Sequence, residues 1–299
     1  MIGTQLYRGQ GFGNQLWVYA VIRSIALEHG YDFTIAGKAN FKGSYFLNLD
    51  FGLQIQMELL ENPMIRIPSG FENYYAEKKL IHPIYNCDIS GFDLDLFHIA
   101  DKTFIDGNMQ TEKYILNSRE KICDWFSVKD DFFEGCTIHF RGTEYRGLKD
   151  VLLPIEYYNN GISYLRNKYG DIDFRVVTDD FELATHYFPK FKIIGRNKIT
   201  SSVKEFIKPL TVKMKLGPNQ KEIGRDFKAI QNSKYLLIPN SSFSWWGAWT
   251  NKLVVEVVAP KYWARHNISD GFWSTGDILT SGWTWLDRSN RFFESKDCR

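Results

Sequence analysis

Four stretches of the sequence gather residue types that could do chemistry. Gly9-Gln10-Gly11-Phe12-Gly13-Asn14-Gln15 precedes a long apolar run. Its glycines let backbone come close to a ligand, and the free N–H groups of a following helix attract an anion. It is not a dinucleotide fingerprint, because Asn14 and Leu16 stand where the last glycine of G-x-G-x-x-G would fall. A tight turn with Asn14 as helix cap is the plainer reading. His139-Phe140-Arg141-Gly142-Thr143-Glu144-Tyr145-Arg146-Gly147 follows a buried-strand pattern. There the fork of Arg141 matches phosphate oxygens bidentately, and the rival reading is a surface ion-pair cluster. Val176-Val177-Thr178-Asp179-Asp180 ends a second apolar strand in two carboxylates, which suit metal binding, acid–base work or a helix cap. Asn240-Ser241-Ser242-Phe243-Ser244-Trp245-Trp246-Gly247-Ala248-Trp249 offers hydroxyls and amides at a helix start, an anion cradle that needs no metal. At least two of its three tryptophans, set at helical spacing, read as core.

These groups act together only if the elements carrying them end side by side. Ile2–Leu6 reads as a strand, Asn14–His29 as a helix and Phe33–Ala36 as a strand, the opening of an α/β unit. Residues 38–105, broken by Pro63, Pro68 and Pro83, give only mixed loops and short elements. Farther on, Cys136–Phe140, Phe174–Thr178, Phe191–Ile194, Tyr235–Ile238 and Leu253–Val258 read as strands. Helices Pro154–Lys168, Phe181–Phe188, Glu222–Asn232 and Ser244–Thr250 alternate with them. Continuously apolar strands between helices predict a parallel sheet covered on both faces. In such sheets ligands gather at the carboxyl ends of the strands, where the motifs fall. The polar segment Lys129–Glu134 marks a boundary, giving domains 1–131 and 132–299.

Composition removes several classes of function. The 299 residues carry 37 Lys+Arg against 35 Asp+Glu, a net charge of +2, so no general nucleic-acid footprint exists. Cys87, Cys123, Cys136 and Cys298 are too far apart for a CxxC or zinc-finger pattern, which predicts free thiols in a reducing compartment. The first nine residues lack the features of a signal peptide, and no apolar run approaches a membrane span, so a cytoplasmic protein is expected. Aromatic residues make up 16% of the chain, enough to build core or to line a site for flat ligands.

Taken in order, the motifs resemble those of the α-1,2-fucosyltransferases of glycosyltransferase family 11. Ser241–Trp249 reproduces that family's Ser-Ser-Phe-Ser-Trp-Trp-Gly-Ala-Trp in full. Gly13-Asn14-Gln15 fits its N-terminal loop, and Gly107-Asn108-Met109-Gln110-Thr111-Glu112-Lys113-Tyr114 fits its Gly-x-x-Gln-x-x-x-Tyr. In the family's His-x-Arg-Arg-x-Asp segment, His139 and Arg141 match, but Gly142 replaces the second arginine and Glu144 stands where aspartate is usual. Arg146 is a candidate substitute for the missing charge.

The resemblance implies an α/β, GT-B-like architecture, two Rossmann-like domains facing a central cleft, the first on the acceptor side and the second binding a GDP-sugar. It implies inverting transfer of L-fucose from GDP-fucose to the 2-hydroxyl of a galactose-containing glycan, without metal or other cofactor, in bacterial surface polysaccharide synthesis. Arg141, Glu144 and Asn14 become the catalytic candidates, Glu144 as general base or as the group orienting Arg141. Gly11, Gly13, Asn14, His139, Arg141, Asp179, Asp180, Ser241, Ser242, Phe243 and Ser244 become the donor-site candidates, with one of Asp179 and Asp180 on the guanine edge. A lipid-linked acceptor would bring the protein to a membrane surface through Lys204, Lys208, Lys213, Lys215 and Lys221, against the plainer reading of a solvated loop. Another GDP-6-deoxyhexose, a non-catalytic sugar-binding protein, and a metal-dependent transferase using Asp93 and Asp95 are the competing readings.

Overall fold

The structure is a computed structural model that describes residues 1–55, 67–81, 88–147, 151–195, 220–261, 279–287 and 289–294. The chain is α/β and divides into two compact units, Met1–Phe126 with Trp273–Thr280, and Ser127–Phe272 with Ser281–Arg299.

The first unit runs β1 (Ile2–Gln5), α1 (Phe12–His29), β2 (Phe33–Ala36), β3 (Asn73–Ala76), β4 (Lys79–Ile81), β5 (Asp88–Ser90), β6 (Thr103–Asp106) and α2 (Arg119–Trp125). Its main sheet is parallel, ordered β2-β1-β6-β3, with β4 and β5 paired separately. Helix α1 is apolar nearly all round, and residues such as Leu16, Val18, Val21, Ile22 and Ile25 are fully buried, so it is a core helix rather than an amphipathic one. Gly30 ends it in the left-handed region (φ 66°), the usual helix stop. Two of the four sheet strands, β3 and β6, fall in the stretch that reads only as mixed loops. They are short, and β3 is half-exposed, so neither carries a clear apolar pattern.

The second unit runs β7 (Phe133–Phe140), α3 (Ile155–Tyr169), β8 (Phe174–Thr178), α4 (Phe181–Tyr187), β9 (Lys192–Ile194), α5 (Gln220–Gln231), β10 (Ser233–Leu237), α6 (Ser242–Trp249), β11 (Glu256–Pro260), β12 (Thr284–Leu286) and β13 (Phe292–Glu294). The sheet order is β13-β12-β11-β10-β7-β8-β9, parallel throughout except for β13. From β9 to β12 this is the doubly wound order, in which the chain reverses direction between β7 and β10. Ile138, Phe140, Tyr158, Leu165, Val176 and Leu237 form the core between the sheet and α3. Trp245, Trp246 and Trp249 are buried together with Trp283 and Trp285, their rings 4.9–5.9 Å apart, so this tryptophan cluster is scaffold. Cys123 and Cys136 are buried free thiols, while Cys87 and Cys298 lie outside the described residues.

Candidate active site

In a doubly wound sheet the ligand crevice opens where the strand order reverses, outside the carboxyl ends of the two strands that flank the reversal. Here those strands are β7 and β10, and beyond their ends lie the His139–Gly147 loop and the Asn240–Ser244 turn. Tyr145 ties the two together, its hydroxyl donating to the Asn240 carbonyl at 3.0 Å. The register β7 with β8, Phe140 opposite Thr178, sets the residues just past both strands side by side. Arg141 and Gly142 therefore meet Asp179 and Asp180.

Arg141 is clamped by two carboxylates. Its Nη1 lies 2.7 Å from Asp179 Oδ2 and its Nη2 donates to Glu144 Oε2 at 2.6 Å. Asp179 also accepts from the Gly142 amide at 2.8 Å and the Thr143 hydroxyl at 2.6 Å, so both its oxygens are engaged. Burial alone would lower the Arg141 guanidinium, but Asp179 and Glu144 outweigh it and hold it above its ordinary value. Glu144 itself is mostly exposed, 76% against 26% for Arg141, so its half of the clamp is the more solvent-screened. The plainer surface-cluster reading does not describe Arg141 and Asp179, whose side chains are three-quarters covered.

Asp180 plays a separate part. It caps α4 by accepting from the Leu183 amide, and Arg146 binds it bidentately at 2.6 and 2.7 Å. The helix-cap reading is thus right for Asp180. Asp179 and Asp180 thus accept from protein donors at all four oxygens, and a ligand on either would share those oxygens with them. Gly142 packs so tightly on Asp180 that a Cβ there would sit 2.4 Å from the Asp180 Cβ. The position taken by the second arginine in the family pattern has no room for a side chain, and Arg146 is engaged on Asp180.

His139 is buried beneath this loop, its ring 5.5 Å from that of Phe243, and its Nδ1 has no partner among the described residues. Burial drives its proton affinity down, Asp179 opposes, and Arg141 reinforces the fall, so the imidazole is neutral at pH 7. Helix α6 begins at Ser242 with Ser241 at its N-cap, and no side chain caps it. Ser242 and Phe243 are half-exposed. The Ser244 hydroxyl is fully buried and donates inward to the Ser241 carbonyl, so what Ser244 can offer a ligand is its first-turn amide. Only Ser241, Ser242 and the first-turn amides remain to form the cradle.

Asp226, on α5, carries no motif and escapes sequence reasoning. Burial pushes its carboxyl up to about 7 against the opposing pull of Arg225, with Glu222 and Asp179 adding to the rise. Its Oδ1 takes both contacts from Arg225, and its Oδ2 has no partner among the described residues.

The N-terminal candidates lie in the first unit, at the carboxyl ends of its central strands β1 and β6. Helix α1 starts at Phe12 with Gly11 as N-cap, so Asn14 is within the first turn and does not cap it. Its Oδ1 accepts from Gln110 Nε2 at 2.9 Å, and Gln10 donates to Asn108 at 3.2 Å. The two family-like loops are thereby joined, while Gly11 is exposed and Gly13 buried. Asp93 caps a 3-10 turn by accepting from the Asp95 amide, which is the structural use of that pair. Among the described residues no group of three His, Cys, Asp or Glu could hold a metal ion, and no helix is long and apolar enough to cross a membrane. Of the lysines proposed for membrane contact, only Lys221 is among the described residues.

No protein-family profile matches the chain. The α-1,2-colitosyltransferase of Escherichia coli is 27% identical over 296 residues, covering 88% of this chain and 92% of that protein. The O-antigen biosynthesis glycosyltransferase WbnK of Escherichia coli is 23% identical over 225 residues, covering 66% and 64%. Among solved structures, NodZ α-1,6-fucosyltransferase soaked with GDP-fucose aligns at a TM-score of 0.46 and 12% identity, over 98% of either chain. A NodZ structure from Bradyrhizobium aligns at 0.43 and 12%, over 98% of this chain and 97% of that one. Across most of its length, then, the chain is similar in sequence to bacterial glycosyltransferases.

Proposed function

We propose that this protein is an inverting, metal-independent glycosyltransferase that moves L-fucose from GDP-fucose to the 2-hydroxyl of a galactose-containing glycan in surface polysaccharide assembly. The observation that carries the reading is Arg141, fixed by Asp179 and Glu144 at the reversal point between β7 and β10, with the start of α6, which no side chain caps, just after β10. Sequence similarity to a colitosyltransferase and an O-antigen glycosyltransferase supports the reaction class.

In the reaction the acceptor oxygen bonds to the anomeric carbon as the bond from that carbon to the diphosphate oxygen breaks. Charge develops on the departing GDP, and the acceptor hydroxyl loses its proton. Arg141 and the first-turn amides of α6 supply donors held in place beforehand, each worth several kcal/mol in such sites. Asp179 is a positioning residue for Arg141, which the resemblance alone does not assign. Neutral His139, buried beneath the Arg141 loop against Phe243, backs the donor site, and Asp226 offers an acceptor to the paired N–H groups of guanine. Glu144 orients Arg141; as a general base it would serve a second role, and Glu144→Gln separates the two. Equal loss of transfer and donor hydrolysis means orientation, and selective loss of transfer with GDP affinity kept means base. The acceptor side of the first unit belongs to the same proposal, as does a cytoplasmic enzyme touching a membrane only through a lipid-linked acceptor.

A second reading is favoured by the 27% identity to the colitosyltransferase, namely that the donor sugar is colitose, which lacks one hydroxyl of fucose. GDP-fucose and GDP-colitose offered with a panel of β-galactosides, with linkage assigned by NMR and EDTA present or absent, decide between them. An Arg141→Ala protein that binds GDP and transfers sugar at the unmodified rate overturns the phosphate assignment.

A further inference from the structure

The first unit holds a polar cluster that the proposed donor chemistry leaves unused. Asp106 is the last residue of β6, at the carboxyl end of the central strand pair. The β3–β6 register places Ala76 opposite Asp106, and Gly3 on β1 pairs with Phe104. Tyr74, two residues before Ala76, therefore reaches Asp106 diagonally from one side, and Tyr7, just past β1, reaches it from the other. Their hydroxyls donate to opposite oxygens, Tyr7 to Oδ1 and Tyr74 to Oδ2, each at 2.8 Å. Burial, with the bond to Asp106 adding to it, raises both phenols well above their ordinary value, so both remain donors at neutral pH. A carboxylate has about four acceptor positions, and two are occupied. The side chain is partly exposed, and two residues on, Asn108 bonds to Gln10, while Gln110 bonds to Asn14. Gly9 and Gly11 leave open space beside the same loop. A carboxylate with one free acceptor position on each oxygen, braced so that it cannot turn, beside carboxamides, matches adjacent hydroxyls of a sugar ring.

Resting on the glycosyltransferase reading, the geometry points to Asp106, braced by Tyr7 and Tyr74, as the residue that binds neighbouring hydroxyls of the acceptor sugar. The alternative is a structural tie between β1, β3 and β6. Asp106→Asn keeps an acceptor for one phenol and removes the charge. The expected result is an acceptor KM raised about tenfold or more, the loss of one charge-assisted hydrogen bond, with the donor KM and the GDP Kd within about twofold of the unmodified protein. Tyr7→Phe and Tyr74→Phe keep the carboxylate and loosen one brace each, so each raises acceptor KM about threefold, which covers an Asn variant that fails to fold. Saturation-transfer NMR with methyl β-galactoside and lactose, donor absent, reads sugar binding without turnover. Saturation transfer in the unmodified protein that is lost in the Asn variant supports the inference even if GDP-fucose is not the donor. Equal saturation transfer in both proteins, none in the unmodified protein, or donor and acceptor KM rising together overturns it. Failure of the donor reading shows separately, as absence of GDP binding by calorimetry.

Discussion

Replacing Asp179 by Asn tests whether this carboxylate positions Arg141 or reads the guanine. The change removes the charge facing Arg141 Nη1 at 2.7 Å and sets an amide N–H against donors it formerly accepted from, the Gly142 amide or the Thr143 hydroxyl. At an effective dielectric of about 20, unit charges about 4 Å apart attract by roughly 4 kcal/mol before desolvation. The two side chains are about a quarter exposed, and solvent screening reduces the net value to about 1.5–3 kcal/mol, typical of a charged hydrogen bond. In a unit of 150–200 residues that lowers Tm by roughly 4–8 °C. Of its two carboxylate partners Arg141 then keeps the exposed Glu144, and GDP affinity falls about tenfold, equivalent to about 1.4 kcal/mol. Calorimetric titration with GDP and with IDP, which lacks the 2-amino group of guanine, gives the deciding ratio. If Asp179 acts through Arg141, both ligands weaken together and the GDP preference over IDP is unchanged. A preference that collapses in Asp179→Asn and survives in Asp226→Asn would refute the positioning argument and support the guanine assignment.

Three other contacts have measurable consequences. Asp226 has its folded value raised to about 7, so the folded state holds a proton that the unfolded chain releases near pH 4, and stability falls as pH rises between those values. Asp226→Asn flattens that slope and stabilises the protein at pH 8 relative to pH 5 by roughly 2–4 kcal/mol, read from urea midpoints at the two pH values. Glu256 is the opposite case: burial would raise it, but Lys168 at 2.6 Å, Thr284 and Tyr169 outweigh burial and lower it. Its contribution is present above the ordinary carboxylate value and disappears as pH falls through the folded one, so Glu256→Gln lowers Tm by several degrees at pH 7 and converges with the unmodified protein in acid. Gly142→Ala forces a Cβ to 2.4 Å from that of Asp180, a cost of about 1–3 kcal/mol, and weakens GDP binding by moving the Arg141 loop. Thermal melts and GDP titration of the alanine variant measure both effects, and an unchanged melt refutes the packing argument.

What could be read along the chain was what local pattern encodes. The runs Phe33–Ala36 and Phe174–Thr178 are strands over those same residues, and the helices around Leu16, Leu165 and Trp245 sit where apolar spacing places them, because burial of continuous apolar runs between helices has few solutions. The residue types of the site were legible for the same reason: Arg141, Asp179 and Ser241 come after strands, and strand ends are where a parallel sheet leaves polar groups free. Which group faces which was not legible, because it depends on partners far apart in sequence. The β7–β8 register, not any motif, gives Asp179 to Arg141 and Asp180 to Arg146, and a turn of α6 sends the Ser244 hydroxyl inward. Short half-exposed strands such as β3 have too little apolar pattern to announce themselves, so the insertion of β6 between β1 and β3 was invisible. That insertion is what brings Tyr7, Tyr74 and Asp106 together. Sequence alone set the fold class and the chemical vocabulary of the candidate site; tertiary pairing decided which carboxylates hold an arginine and which hold tyrosine hydroxyls, since hydrogen bonding is settled by distance in space.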